Sequence, residues 1–311
     1  MPYDNLISRG DAAALIPEEV SSRMLADLQN ESGVLGGFSR VPVGRNQVRF
    51  PVLSALPVAY FVNGDTGLKQ TSEVNWDNKY MNVEELAVIV PVPENVLDDV
   101  AYDIWGEVEP LIRDAMARTL DSAVFFGVNA PGTWPTNVSA AALAAGNTVT
   151  RGTATAANGG VATDLSNLLA TLEADGYDPD RAIARTTIKG VLRNARDTTG
   201  VRNQEVDQNQ AWGSSIAYPM RGLWPTASGS PEFISFDSTR FLVGIRSDIS
   251  FKRLDQAVIQ DNTGAIVYNL PQQDMVATRC TFRVAWQVSN PINYDEPDEA
   301  DRYPAARMVS P

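Results

Sequence analysis

Histidine is missing from all 311 positions of this chain. Its absence removes Ser-His-Asp and Cys-His catalysis, His-bound zinc and any imidazole pH switch, leaving carboxylate, lysine or tyrosine chemistry. Cysteine occurs once, as Cys280, so an intrachain disulfide and a thiolate metal cluster are excluded. Cys280 lies in an alternating apolar segment and reads as a small buried hydrophobe, not a nucleophile. Lysine is scarce: Lys69, Lys79, Lys189 and Lys252 stand among 25 basic residues, against 38 acidic ones, for a net charge of −13. No basic patch is visible, which argues against a sequence-specific nucleic-acid binder, because phosphate contacts dominate such affinity. An acidic surface repels nucleic acid and suits a container whose contents must not stick to its wall; it serves plain solubility equally well. No apolar run reaches the 18 residues of a membrane-spanning helix. The start, Met1-Pro2-Tyr3-Asp4, lacks the basic and apolar regions of a signal peptide, so a cytosolic protein is the default expectation. Phosphate-binding Gly-Lys loops, dinucleotide fingerprints, Ser elbows and calcium loops are missing too. The acidic doublets Glu84-Glu85 and Asp98-Asp99 point adjacent carboxylates in different directions and read as solvated faces. No active site is legible, and no cofactor or metal is expected.

What is present suffices for a core: 44% hydrophobic and 20% charged residues. The length fits one large domain or two small ones. Residues 1–46 read as a loosely ordered arm. It holds an amphipathic helix from about Pro17 to Leu28, then turn-rich chain from Gly33 to Gly44 that lies on another surface. Residues 47–91 read as a two-stranded ribbon. It runs out through Gln47 to Val62, interrupted by Pro51 and Pro57, turns at Asn63-Gly64-Asp65-Thr66-Gly67, and returns from Thr71 to Pro91. Trp76 and Tyr80, in a polar stretch, favour a partner surface, with local cross-strand packing as the alternative.

Residues 94–126 carry the strongest helical period, through Leu97, Val100, Ile104, Val108, Leu111, Ala115, Leu120 and Ala123. Pro110 predicts either two helices meeting near Asp103 or one kinked helix. Gly127 is a candidate cap. Residues 128–162 read as a loop or weak ribbon. Residues 163–240 read as a compact α/β unit, opening with a helix from Thr163 or Asp164 to Gly176 through Leu165, Leu168, Leu169 and Leu172. Strands Phe241-Ile245 and Ile249-Leu254 precede a turn at Asp261-Asn262-Thr263-Gly264. Met275 to Val288 alternates strictly, with Val276, Thr278, Cys280, Phe282, Val284, Trp286 and Val288 on one face. Phe282, Val284 and Trp286 are the candidate core residues, packed under the 94–126 helix. The acidic tail from Tyr294 to Pro311 is expected to be solvated.

This order of arm, long ribbon, long helix, α/β unit and terminal strand resembles the major capsid proteins of tailed bacteriophages. The likeness is closest from Ala59-Tyr60-Phe61-Val62-Asn63-Gly64 through Leu86-Ala87-Val88-Ile89-Val90-Pro91-Val92-Pro93-Glu94-Asn95-Val96-Leu97-Asp98-Asp99, similar to that family's extended loop and the start of its spine helix. It recurs at Phe125-Phe126-Gly127 and at Met275-Val276-Ala277-Thr278-Arg279-Cys280-Thr281-Phe282-Arg283-Val284-Ala285-Trp286, similar to the helix end and final strand. It covers roughly residues 40–292.

The resemblance implies an α+β fold of the Hong Kong type, shared with encapsulins. Its parts are an N-terminal arm (1–46), an extended loop (47–91), a peripheral domain (92–162 with a spine helix at 94–126, and returning strands at 241–289), an axial domain (163–240) and a C-terminal tail (290–311). The extended loop would overlap a neighbouring subunit, with Lys69, Trp76 and Tyr80 at the contact. The axial domain would converge at hexamer and pentamer centres. A non-enzymatic subunit of an icosahedral virion shell is implied, assembled in the host bacterial cytoplasm around double-stranded DNA without sequence-specific contact or any membrane. Partners are further copies of the chain, a portal and, where present, scaffolding and decoration proteins. No fused scaffolding segment precedes the arm, which implies a separate scaffold or none. An encapsulin-type nanocompartment shell is the alternative within the same fold, distinguished by genomic neighbours or DNA content. A carboxylate-based enzyme is the distant one, distinguished by turnover in a monomer.

Some members of the family join a ribbon lysine to a neighbour's asparagine, helped by a glutamate further along the final strand. Here Lys69 is a ribbon lysine. Aligning the final strands through the shared cysteine places Asp274 at the asparagine and Thr281 at the glutamate. A carboxylate is a poor electrophile, and threonine holds no proton near neutral pH. The resemblance therefore implies a shell without covalent cross-links; Asn262 and Asn269 stand nearby without a well-placed acid.

Overall fold

A computed structural model describes residues 32–62, 69, 71–99, 104–196, 199–201, 205–219 and 222–311. The helix expected from Pro17 to Leu28 and the ribbon turn at Asn63-Gly67 lie outside the described residues. From α1 (Gly33–Gly37) the chain runs into β1 (Ser39–Pro42), β2 (Gln47–Ala55), β3 (Asn75–Asn82) and β4 (Glu84–Pro93), then α2 (Glu94–Asp99) and α3 (Ile104–Phe126). α4 (Val138–Ala144), β5 (Thr148–Thr150) and α5 (Val161–Ala174) follow, then β6 (Arg181–Ala184), α6 (Ile188–Arg193), β7 (Gln210–Ala211), β8 (Ser214–Ala217) and β9 (Pro231–Phe236). The chain ends in β10 (Phe241–Leu254), the hairpin β11 (Val258–Gln260) and β12 (Ile266–Asn269), β13 (Met275–Val288) and β14 (Ala305–Val309). Among described residues two compact units form. One takes residues 85–116 and 247–284, the other 32–84, 117–246 and 285–311.

The larger unit is organised by a six-stranded mixed sheet of order β5-β14-β9-β6-β8-β7. In α5 the apolar positions Leu165, Leu168 and Leu172 recur at helical spacing and bury against Ala182 and Ala184 of β6, Phe233 of β9, and Ala306 and Met308 of β14. Each such leucine contributes about 1.5–3 kcal/mol by leaving water. The helix stops as expected at Gly176, which adopts φ +78°, a left-handed conformation that glycine takes without penalty. β14 lies between β5, to which it is parallel, and β9, to which it is antiparallel. The tail expected to be solvated is thus, in its last third, an inner strand, with Ala305, Ala306 and Met308 wholly buried. Residues 128–162, expected to be weakly ordered, hold α4 and β5. Asn137 caps α4 by accepting from Ala140 N at 2.9 Å. The sheet that fills residues 163–240 therefore also draws on segments assigned by resemblance to the peripheral domain and the tail.

The end of the arm is part of this unit's core. Ser32 caps α1 by accepting from Leu35 N at 3.1 Å. Phe38, directly after the helix, packs within 5.7 Å of Phe125, 5.6 Å of Phe236 and 4.8 Å of Phe241, ring centre to ring centre. Trp286 stands 6.5 Å away. β1 then pairs in parallel with β10 from Ser39↔Leu242 to Pro42↔Ile245. The turn-rich chain expected from Gly33 to Gly44 is corrected to a short helix and a strand, which do lie on another surface, that of this core. Gly33, Gly36 and Gly37 suggest a loop, but the cap and Phe38 fix the chain.

In the smaller unit β4 leads into α2, and Glu94 N donates to Asp274 O at 2.8 Å. Val92, Val96 and Ile104 form one buried cluster, with Leu270, Met275 and Ala277 in another. Residues 100–103, between α2 and α3, lie outside the described residues, so two helices flank the position where a junction or kink was expected. α3 continues unbroken through Pro110. Its buried stripe is Ile104, Ile112, Met116, Leu120 and Ala123, whereas Leu111 is 39% exposed. Leu111 and Ala115, expected on the buried face, point outward; the stripe steps by four from Ile112 through Met116 to Leu120, then by three to Ala123. β13 spans the expected residues; Val276, Cys280, Phe282, Val284, Trp286 and Val288 are buried on the expected face with Thr278 half-buried, while Met275, Ala277 and Ala285 are buried on the opposite one.

Candidate assembly surfaces

β2 and β3 pair antiparallel, with Val48↔Met81, Arg49↔Tyr80, Phe50↔Lys79, Val52↔Asp77 and Leu53↔Trp76 opposite each other. Directly opposed residues share a face of the ribbon. Val48, Phe50 and Met81 fall on one face and join the buried cluster around Val43 and Ala285. Arg49, Tyr80, Leu53 and Trp76 fall on the other, where Trp76 is 63% and Tyr80 46% exposed. The cross-strand pairing Leu53↔Trp76 exists, yet it leaves most of the indole in solvent. Residues 56–62 form no ladder, and Phe61 is fully exposed beside Val58, Tyr60 and Val62. Lys69 is exposed as well. An apolar stretch of this kind on a folded chain marks a surface that something else covers.

The return strand ends at Asn82, and β4 joins a different sheet, of order β1-β10-β13-β4. This corrects the single return strand expected from Thr71 to Pro91. At the break, Trp134 Nε1 donates to Asn82 O at 3.2 Å, and Asn82 Nδ2 donates to Thr133 O at 3.0 Å. These bonds hold Asn82 where the ribbon ladder ends. Glu84 accepts from Thr133 Oγ1, while Glu85 pairs with Arg283 at 2.7 Å. The two carboxylates thus serve separate partners from opposite faces of one strand; the side chains of Asp98 and Asp99 lie outside the described ones.

Phe282, Val284 and Trp286 are 3%, 1% and 1% exposed. Cys280 is fully buried beside Met116 Sδ at 3.6 Å, and burial pushes its thiol up. Asp274 is exposed, with φ +48°. Thr281 shares a hydrogen bond with Ser250 Oγ at 2.9 Å. Asn269 Nδ2 donates to Gln272 Oε1 at 2.8 Å, and Asn262 is exposed. Two features escaped sequence reasoning. Asp121 on α3, 1% exposed, accepts from Ser32 Oγ at 2.6 Å, Gly33 N at 2.7 Å and Val34 N at 3.1 Å. Burial pushes its carboxyl up to about 6, against the lowering effect of those three donors. The second is the loop from Asn290 to Tyr303, which reads in sequence only as a run of acids. An aspartate one turn from a helix end gives no sign that its partners lie near position 33.

Two units with separate cores, an amphipathic ribbon projecting its aromatic face and an uncovered apolar stretch define a building block, a chain whose surface is completed by other chains. Comparison with known proteins identifies which kind. The chain belongs to the phage capsid family, whose model matches residues 12–292. It is 26% identical over 290 residues to the major capsid protein of Staphylococcus phage 80alpha, covering 92% of this chain and 86% of that one. Its fold is similar to solved structures from Microbacterium phage Oxtober96 (34% identity, TM-score 0.82, 98% of this chain and 99% of that one) and Mycobacterium phage Adephagia (29%, 0.82, 98% and 98%). At 18% identity it shares the fold of the capsid of an empty GTA particle, with a TM-score of 0.64 over 98% of this chain and 99% of that one. The mixed helix-and-sheet architecture is that of these capsid structures, consistent with the Hong Kong-type fold.

Proposed function

We propose that this chain builds the icosahedral head of a tailed phage, closing hexamers and pentamers of itself around double-stranded DNA, with the ribbon of each copy lying on a neighbour. The observation that carries this reading is the likeness to phage capsid structures along nearly the whole chain, which includes the ribbon and both units. The exposed aromatic face at Trp76 and Tyr80 and the uncovered Val58, Tyr60 and Phe61 supply the apolar area for that overlap; Lys69 lies in the same excursion. Residues 163–240 are the axial domain of this reading and residues 92–162 with 241–289 its peripheral domain. Its role is mechanical: the chain carries no histidine, and Glu84 and Glu85 are spent on structural partners. An excess of 13 negative charges favours a genome-facing wall that DNA slides along. A portal belongs to the same assembly, which forms in the bacterial cytoplasm. Particles purified from infected cells test the reading through their contents. Nuclease-protected DNA is expected; an enclosed protein cargo without DNA would instead indicate a nanocompartment shell.

A further inference from the structure

A two-stranded ribbon has no core of its own beyond its base, so something else must set its direction. Here the support comes from residues 287–302. Arg302, 3% exposed, donates to the main-chain carbonyls of Asn290 at 3.3 Å, Pro291 at 3.2 Å, Glu296 at 3.4 Å and Pro297 at 2.7 Å. A guanidinium holds its donors in a fixed fork, so these bonds impose one shape on the loop. Asn290 Nδ2 closes it by donating to Arg302 O at 3.1 Å. Asn293 ties it to the sheet unit through Asp175 O at 2.6 Å and accepts from Glu296 N at 2.8 Å.

From this rigid loop, bonds reach both limbs of the ribbon. On the outgoing limb Ile292 N donates to Leu53 O at 3.0 Å, and Tyr294 Oη donates to Pro57 O at 3.2 Å. On the return limb Glu299 Oε1 takes Lys79 Nζ at 2.6 Å, and Gln287 Nε2 donates to Tyr80 O at 2.8 Å. Three of these contacts, at Leu53, Pro57 and Lys79, lie outside the buried cluster at the ribbon base or at its edge. We propose that residues 287–302 are a built-in brace, which fixes the elevation of the ribbon on its own subunit and so presets the direction in which it meets a neighbouring copy. The second half of that statement rests on the ribbon being the inter-subunit element.

The test is amide hydrogen exchange on unassembled subunits isolated by size exclusion. Tyr294 is 75% exposed and the Glu299 side chain 57%, so Tyr294→Phe with Glu299→Ala removes two links without touching the core. Exchange at residues 53–57 and 79–82 should rise severalfold in this double variant, with α5 and β13 unchanged. The charge exchange Lys79→Glu with Glu299→Lys should keep wild-type protection. Arg302→Lys, which cannot span the same carbonyls, should loosen loop and ribbon together. Unchanged ribbon exchange in the double variant, or loosening spread equally through α5, would overturn the brace. Failure of the wild-type chain to form particles would count against the shell reading alone, because the exchange is read within single subunits.

Discussion

Asp121 ties the end of the arm to α3 at a cost that depends on pH. Its carboxyl lies at about 6 in the folded chain against an ordinary 3.8, so the folded state binds a proton more tightly than the unfolded one. Its contribution to stability is therefore more favourable below pH 4 and is lost as pH rises through 6, by about 3 kcal/mol in all. Urea unfolding of the wild-type chain and of Asp121→Asn, compared at pH 4.5 and 7.5, isolates this term. The variant should lack that part of the pH dependence, and parallel curves for the two chains would show that Asp121 does not set it. Trp286 makes a second residue-scale case. It is 1% exposed, and its indole N–H is buried without a hydrogen-bond partner among the described residues. Trp286→Ala should cost about 3–5 kcal/mol, as should Phe282→Ala, through the cavity each leaves. Trp286→Phe should cost much less, since no hydrogen bond is lost. Denaturant midpoints measure all three, and wild-type stability in the alanine variants would contradict their place in the core.

At the scale of elements, β14 is the sharpest departure from what the sequence suggests. Ala305, Ala306, Arg307, Met308 and Val309 lack the β-branched alternation of a typical strand, and the acids from Asp295 to Asp301 make the whole tail look solvated. Two neighbouring strands, not local propensity, make it a strand. Deleting residues 305–311 should therefore yield insoluble protein, whereas a solvated tail would be dispensable; soluble expression decides. β13 was legible to both ends because one face is buried along its whole length, and that imposes period two on the sequence. α5 was legible for the same reason at period 3.6, as was the glycine that ends it. α3 was legible in extent but not in facing: Leu111 and Ile112 are equally apolar, and only packing chooses between them. The ribbon was legible as an excursion, whereas at its break Asn82 bonds to Trp134 and Thr133, distant in sequence. Of the candidate surface, Trp76 and Tyr80 stood out as aromatics in a polar stretch, while the brace hangs on one arginine whose bonds all go to carbonyls.

For the whole molecule, a shell built from copies of this chain is expected to be held by packing and hydrogen bonds. Asp274 and Thr281 supply neither an electrophile nor a base for attack by Lys69, so no covalent network is expected. Boiled mature particles on a denaturing gel should give one band near 33.7 kDa; a ladder of covalent oligomers would refute this. Electron microscopy of the purified protein asks whether copies of the chain close into a shell. Closed, hollow, icosahedral particles with five- and six-fold capsomers are the predicted result, and a preparation of discrete monomers or small soluble oligomers under assembly conditions would contradict it.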